Sequence, residues 1–215
     1  MGGPFTTEVA GRTDAGVHAL GQVVTVAPAP DDIDPESVKK SLNKLCAPSI
    51  SVHSVIPVSE DFSARSSARS RTYVYAILIS DVPHPFRDAT CWRIRSDLDV
   101  EAMNEAAGHL LGVHDFSSFG RTREPDASAV RNLFELNATK EGNLVRIKAR
   151  ASSFIQQMVR SLAGTLADVG AGKIDPGEMP QVLEGRDRKL AGRVAPPHGL
   201  CLVSAEYDEG WSRPV

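Results

Sequence analysis

Residues 130 to 151 constrain the fold more than any other stretch. Two strand-forming runs, Val130 to Thr139 and Leu144 to Ala151, are separated by Lys140-Glu141-Gly142-Asn143. Gly and Asn accept the backbone torsions that turn a chain back beside itself, so the pattern predicts a β-hairpin. The second run alternates cleanly, with Val145, Ile147 and Ala149 on one face and Arg146, Lys148 and Arg150 on the other. A hairpin of this kind belongs in an antiparallel sheet covered on one side and wet on the other. The row of three cations suits a phosphate backbone, and a plain solvent-facing side would have the same composition.

The remaining elements are read the same way. Thr6 to Ala10 and Val23 to Ala27 are short β-leaning runs. Asp34 and Pro35 read as the cap and first residue of a helix running from Glu36 to Leu45, with Val38, Leu42 and Leu45 expected in the core. Ser49 to Val58 alternates as a strand would, and so does Arg71 to Leu78, with Tyr73, Tyr75 and Ile77 on one face. A proline-rich turn at 81–86 and a short strand within Ala89 to Ile94 follow. Apolar spacing predicts a helix over Asp99 to Leu111, closed by Gly112, and a longer one over Phe154 to Val169. Asp175 and Pro176 open another helix ending near Gly185, residues 186–193 read as basic and exposed, and a final strand runs from Cys201 to Tyr207.

Length and composition set the outer limits. A chain of 215 residues, 41% hydrophobic and 24% charged, can bury one large core or two small ones. No stretch approaches the roughly 20 apolar residues of a membrane span, and the start shows no basic region followed by an apolar one, so no secretory leader is expected. The three cysteines, Cys46, Cys91 and Cys201, are far apart and form no C-x-x-C pair. Neither a zinc site nor a disulfide framework is suggested, and a reducing cytoplasm is the default. The net charge of −3 argues against a protein that coats nucleic acid indiscriminately, but not against a local basic groove. Arginines outnumber lysines 17 to 7. The planar guanidinium suits phosphate and base recognition, while a GC-rich genome would give the same excess.

The chemistry is concentrated in Gly11-Arg12-Thr13-Asp14-Ala15-Gly16-Val17-His18-Ala19. Two glycines frame a single acid between two β-leaning runs, so the carboxylate sits on tight backbone. Arg12 can keep it ionised, and His18 adds a titratable group or donor. The stretch is compatible with a nucleophile, a metal ligand or a capped turn.

Residues 12 to 19, followed by Gly21-Gln22-Val23, resemble the signature loop of the TruA family of tRNA pseudouridine synthases. Further matches follow in the family's order: Phe62-Ser63-Ala64-Arg65 leading into the Tyr73 strand, Asp115-Phe116 with Phe119, Phe154 with Met158-Val159-Arg160, and Gly199-Leu200. The strand with a Tyr-Asp-Gly motif and the helix that precede the loop in that family do not appear, so the chain resembles a member lacking its opening β-α unit.

The resemblance implies an α+β fold. Two ferredoxin-like-related subdomains would form an extended, mostly antiparallel sheet with helices on one face. They are expected at 1–62, carrying the catalytic loop, and 63–209, with a tail at 210–215. It implies isomerisation of uridine to pseudouridine in the tRNA anticodon stem-loop, with Asp14 as nucleophile, Arg12 and Arg160 supporting it, and Tyr73 and Leu200 against the base. Arg65, Arg69, Arg71, Arg146, Lys148 and Arg150 are candidates for the RNA backbone. tRNA and a second copy of the chain are the expected partners, the location cytoplasmic, with no membrane association. The reaction moves no electrons and loses no group, so no cofactor or metal is expected. Two other readings stand beside this one: an inactive RNA-binding module, and a metal-dependent hydrolase built on Asp14 and His18. His114 and Asp115 are a further candidate pair, although adjacent residues seldom face each other.

Overall fold

A computed structural model describes residues 5–28, 33–122, 124 and 126–208. The chain forms two compact units. The smaller is drawn from residues up to Ala10, from Val23 to Arg69 and from Glu206 onward. The larger takes Gly11–Gln22 and Ser70–Ala205. The loop bearing Asp14 therefore packs within the larger unit, whereas the sequence suggested grouping it with the first 62 residues.

In the smaller unit, β1 (Thr6–Val9) pairs antiparallel with β3 (Val24–Ala27). Helix α1 (Pro35–Cys46) starts as expected, with the Asp34 carboxylate accepting the backbone N–H groups of Glu36 and Ser37. Its apolar face is not a core face, however: α1 has no buried residue, and Leu45 is 79% exposed. Nor is 49–58 a strand. Here the Asn43 side chain substitutes for a ladder partner, donating to the Val52 carbonyl at 2.9 Å and accepting its N–H at 2.7 Å. The start of the unit's last segment is tied by the Tyr207 hydroxyl, which donates to Ala64 O at 2.8 Å.

The larger unit is built on a seven-stranded sheet. Its strands are β2 (His18–Ala19), β4 (Ser70–Ile79), β5 (Trp92–Ile94), β6 (Gly112–Asp115), β7 (Val130–Glu141), β8 (Leu144–Ala151) and β9 (Leu200–Glu206). The order is β2-β9-β4-β8-β7-β6, with β5 alongside β4. The β7–β8 hairpin forms at the expected place, with Gly142 at φ 59° in the turn. The sheet is mostly antiparallel, and the short pairs β2–β9 and β4–β5 are parallel. Register carries the alternation across strands: Tyr73, Tyr75 and Ile77 face Ala149, Ile147 and Val145, all buried. Thr72, Val74 and Ala76 pair with Arg150, Lys148 and Arg146.

Helices α2 (Val100–Gly108) and α3 (Met158–Gly170) pack on the buried side, α2 against β7 and α3, with α3 also reaching β4. Asp99 caps α2, which ends three residues earlier than the sequence suggested; Leu110 turns into the core while Leu111 stays 41% exposed. The expected helix over 154–169 likewise loses its first turn. Gln157 takes a left-handed φ of 65° just before α3, a conformation a continuous helix does not allow. Phe154 and Ile155 approach the core ahead of the helix, and Gln156 bridges to Arg121. Of α3's residues all but Arg160 are buried, including Ser161, Thr165 and Asp168 on the side away from the predicted apolar stripe. A helix covered all round needs a second layer, and here it is the strap of chain at 191–197. Asp175 and Glu178 form a reciprocal cap ahead of α4 (Met179–Gly185). The basic run 186–193 is largely exposed, as expected, and two of its arginines are tied down: Arg188 donates to Gly192 O at 2.8 Å, and Arg193 turns onto Asp168.

Candidate active site

Residues 11–22, part of the larger unit, form a closed loop. At its neck the Gln22 amide spans the chain, accepting the Gly11 N–H at 3.3 Å and donating to Gly11 O at 2.7 Å. Glycine is required at that neck. A Cβ at Gly11 would lie 2.6 Å from the Tyr73 hydroxyl. On the return side, Leu20 N–H donates to Leu202 O at 2.8 Å, and His18 and Ala19 lie beside Cys201 and Leu202 of β9. The tip is a turn closed by Val17 N–H to Asp14 O at 3.0 Å, with Gly16 at φ 84°.

That turn places Asp14 against α3. Arg160 Nη1 donates to Asp14 Oδ2 at 2.7 Å, with side-chain exposures of 14% and 28%. A charge-assisted bond in a half-buried setting fixes the direction of the carboxylate. Arg160 is itself fixed, because its Nε donates to Ala195 O at 2.8 Å while its own carbonyl accepts the Ala195 N–H at 3.0 Å. Arg12, on the same loop, is exposed. The cation against Asp14 is Arg160.

Tyr73 is 6% exposed and meets Phe154 edge to face, ring centroids 5.2 Å apart. Burial pushes its hydroxyl up to about 12, with Arg71 pulling the other way and the nearby Asp14 charge adding to the rise. It is therefore a neutral phenol at neutral pH. Tyr75, two residues on, donates to Pro196 O at 2.8 Å; burial raises it too, opposed by Arg160. Leu200 is 6% exposed at the head of β9, next to Gly199, whose missing Cβ leaves room for the Tyr75 ring at 2.7 Å.

His18 is not beside Asp14's carboxylate but bonded through Nε2 to Ala89 O at 3.0 Å. His114 likewise bonds Leu111 O, and Asp115 accepts from Ser117 N at 2.9 Å, so those two do not act as a pair. Among the described residues no three His, Cys, Asp or Glu side chains gather as a metal set.

The basic candidates are spread out. Arg69, in the smaller unit with Arg65, forks onto Asp208 through Nε at 2.8 and 2.9 Å. Arg71 is buried, donating to Ser152 O at 2.8 Å. On the hairpin, Arg146 pairs with Glu141 at 2.9 Å, Lys148 with Glu135 at 3.0 Å, and Arg150 lies over the Phe134 ring.

Residues 106–208 match the sequence model of a family described as tRNA pseudouridine synthase. The chain is 42% identical to the tRNA pseudouridine synthase A of Dinoroseobacter shibae, over 96% of its own length and 82% of that relative's. The chain belongs to the tRNA pseudouridine synthase family. The proteins of the same name from Brucella ovis and Brucella canis are each 40% identical, over 96% of this chain and 83% of theirs. Family members are isomerases acting on tRNA, and the α+β sheet described above is consistent with the pseudouridine synthase fold. No helix among the described residues is long and apolar enough to cross a membrane.

Sequence reasoning named both partners of the Asp14–Arg160 pair but missed what aims them. Gln22 lay within the matched Gly21-Gln22-Val23, but nothing in that match announced a clamp across the neck. The Tyr75 hydroxyl and the Ala195 and Pro196 carbonyls carry no motif of their own; the run Ala195-Pro196-Pro197-His198-Gly199 was their visible signal, a backbone too stiff to be a slack connector.

Proposed function

We propose that this tRNA pseudouridine synthase acts on uridines of the tRNA anticodon stem-loop with Asp14 as its nucleophile. The observation that carries the reading is the 2.7 Å bond from Arg160 to Asp14. It puts one oriented carboxylate beside a buried aromatic side chain in a chain of this family. The reaction detaches uracil from ribose C1′ and rejoins it through C5, with no net redox change.

The target base must leave its stack to reach a protein carboxylate. Asp14 then attacks C1′ of the ribose or C6 of the uracil, a role in which carboxylates are competent nucleophiles. Arg160 orients the Asp14 carboxylate. Tyr73 meets the flipped base and, as a neutral phenol, is suited to hydrogen-bond or donate rather than to abstract a proton. Leu200 presents an apolar surface to the uracil. Arg12, exposed on the loop, fills the space the base vacates or holds the backbone. Arg65, Arg69, Arg71, Arg146, Lys148 and Arg150 supply the phosphate contacts, and those already paired with Asp208, Glu135 or Glu141 exchange an acidic partner for a phosphate. The enzyme works in the cytoplasm as a homodimer.

Incubation with unmodified tRNA transcripts, followed by chemical mapping of pseudouridine, tests the substrate assignment. Modification is expected in the anticodon stem-loop. Modification confined to other arms of the tRNA would overturn it.

A further inference from the structure

The strap from Gly192 to Gly199 reaches Arg160, Tyr75 and the turn bearing Asp14, and a carboxylate outside the site holds its leading end. Gly164 of α3 lets the two backbones meet, since a Cβ there would lie 1.8 Å from Arg193 O. Gly192 N–H donates to Thr165 Oγ1 at 3.0 Å. Ala195 exchanges two hydrogen bonds with Arg160, at 3.0 and 2.8 Å. Pro196 O takes the Tyr75 hydroxyl, and Pro197 lies 3.3 Å from where a Cβ of Gly16 would be. The strap thus fixes the arginine that faces Asp14 and also braces the turn bearing Asp14.

The leading end is held by Asp168, whose side chain is 10% exposed and lies two turns along α3 from Arg160. It accepts from Arg193 Nε at 3.1 Å, from the Arg193 backbone N–H at 3.4 Å and from Lys173 Nζ at 3.1 Å. The Arg193 guanidinium also lies over the Trp92 ring, 5.4 Å from its centroid. Asp168, Lys173 and Arg193 make no hydrogen bond to Asp14, Tyr73 or Arg160 among the described residues, and Trp92 itself meets the Tyr75 ring edge to face. A half-exposed arginine would ordinarily be left to solvent. Here it is drawn down between a carboxylate and an indole, two residues before Ala195.

We propose that Asp168 is a positioning residue for the isomerisation: through Arg193 it locks the strap onto α3, so that Ala195 O holds Arg160 in line with Asp14. The inference rests on Asp14 and Arg160 acting as proposed above. Without the lock, Ala195 O drifts, Arg160 Nε loses its acceptor, and the Asp14 carboxylate loses its fixed direction. Misplacement of a reacting group by about 1 Å can cost up to about 100-fold in rate. The loss should fall on turnover, because none of these groups is placed to bind the RNA chain.

The test uses the full chain, with Asp168→Asn and Arg193→Ala. The second is included because Arg193 is half exposed and its removal leaves the core filled. In ligand-free protein carrying nitrogen-15 arginine, the Arg160 Nε–H resonance, assigned with Arg160→Lys, should shift and exchange faster in both variants. With tRNA, kcat should fall about tenfold while KM stays within about twofold. Arg193→Lys, which keeps the charge but not the fork, should lie between the variant and wild type. Both variants are assayed well below their melting temperatures, so that a purely stabilising carboxylate would leave kcat unchanged. An unaltered Arg160 resonance overturns the inference, as does a rise in KM at constant kcat, which would assign Arg193 to RNA binding. A shifted resonance with unaltered kcat supports the lock and overturns instead the catalytic role of the Asp14–Arg160 pair.

Discussion

Asp14 and Arg160 stand 146 residues apart in sequence and 2.7 Å apart in the fold. One is on a twelve-residue loop (11–22) closed by a glutamine clamp, the other on the first turn of a buried helix, and a strap of chain bonds the arginine from behind. Breaking the pair removes one charge and leaves its partner half buried and unmatched. Arg160→Ala is therefore expected to lower kcat by at least about 100-fold. Arg160→Lys should restore only part of this, because a single ammonium cannot bond Asp14 and Ala195 O in the same geometry. Steady-state kinetics on tRNA measures both, and a lysine variant at wild-type turnover would show that the fork is not used.

Gly164 is expected to tolerate no side chain. Its Cβ position meets Arg193 O at 1.8 Å, so Gly164→Ala must push the strap off α3. Overpacking of this kind costs about 1 to 3 kcal/mol. Urea unfolding should show that loss, and turnover should fall with it. An alanine variant as stable as wild type would mean that the close approach is not present in solution.

The neck of the loop offers a parallel test. Gly11→Ala sets a methyl group 2.6 Å from the Tyr73 hydroxyl. The phenol is hemmed in by burial, so the loop must move instead. Activity should drop by an order of magnitude or more, while stability changes little because the loop itself is largely exposed. A mutant with unchanged turnover would separate the position of the neck from that of Asp14.

Alkaline titration reports on the two buried phenols. Burial raises both Tyr73, to about 12, and Tyr75 above the ordinary tyrosine range. Raised folded values favour the protonated form, so their contribution to stability is complete below about pH 10 and is lost as pH climbs through about 12. Of the three tyrosines in the chain, two should therefore remain un-ionised near pH 11 while the fold is intact. Ultraviolet difference absorbance counts them. Ionisation of all three at pH 10 without unfolding would contradict the burial.

Core packing gives a magnitude independent of function. Leu166 is fully buried on α3, in the hydrophobic core. Leu166→Ala should cost about 2 to 5 kcal/mol, measurable in urea, with kcat of the folded enzyme nearly unchanged.

The β7–β8 hairpin was legible because a period of two and a Gly-Asn turn leave an unmistakable mark on sequence, and the Asp34 cap because its signal is local. Element ends were less so. The helix expected from Phe154 begins at Met158 because Gln157 is left-handed, a conformation its residue type does not announce. The strand expected at 49–58 is replaced by the Asn43 side chain, which satisfies the Val52 backbone in its place. In the site, Asp14 and Arg160 were readable through their motifs. The strap was not, since its work is done by main-chain carbonyls and by contacts that glycine permits, and these are invisible in residue types until the chain is folded.

The proposed nucleophile is tested most directly by tritium release from tRNA labelled at uridine C5, comparing wild type with Asp14→Asn under single-turnover conditions. The asparagine is nearly isosteric and still accepts a bond from Arg160, so folding and tRNA binding should persist. Release from the wild type and none above background from the variant is the expected result. Release from Asp14→Asn at the wild-type rate would mean that another group begins the reaction.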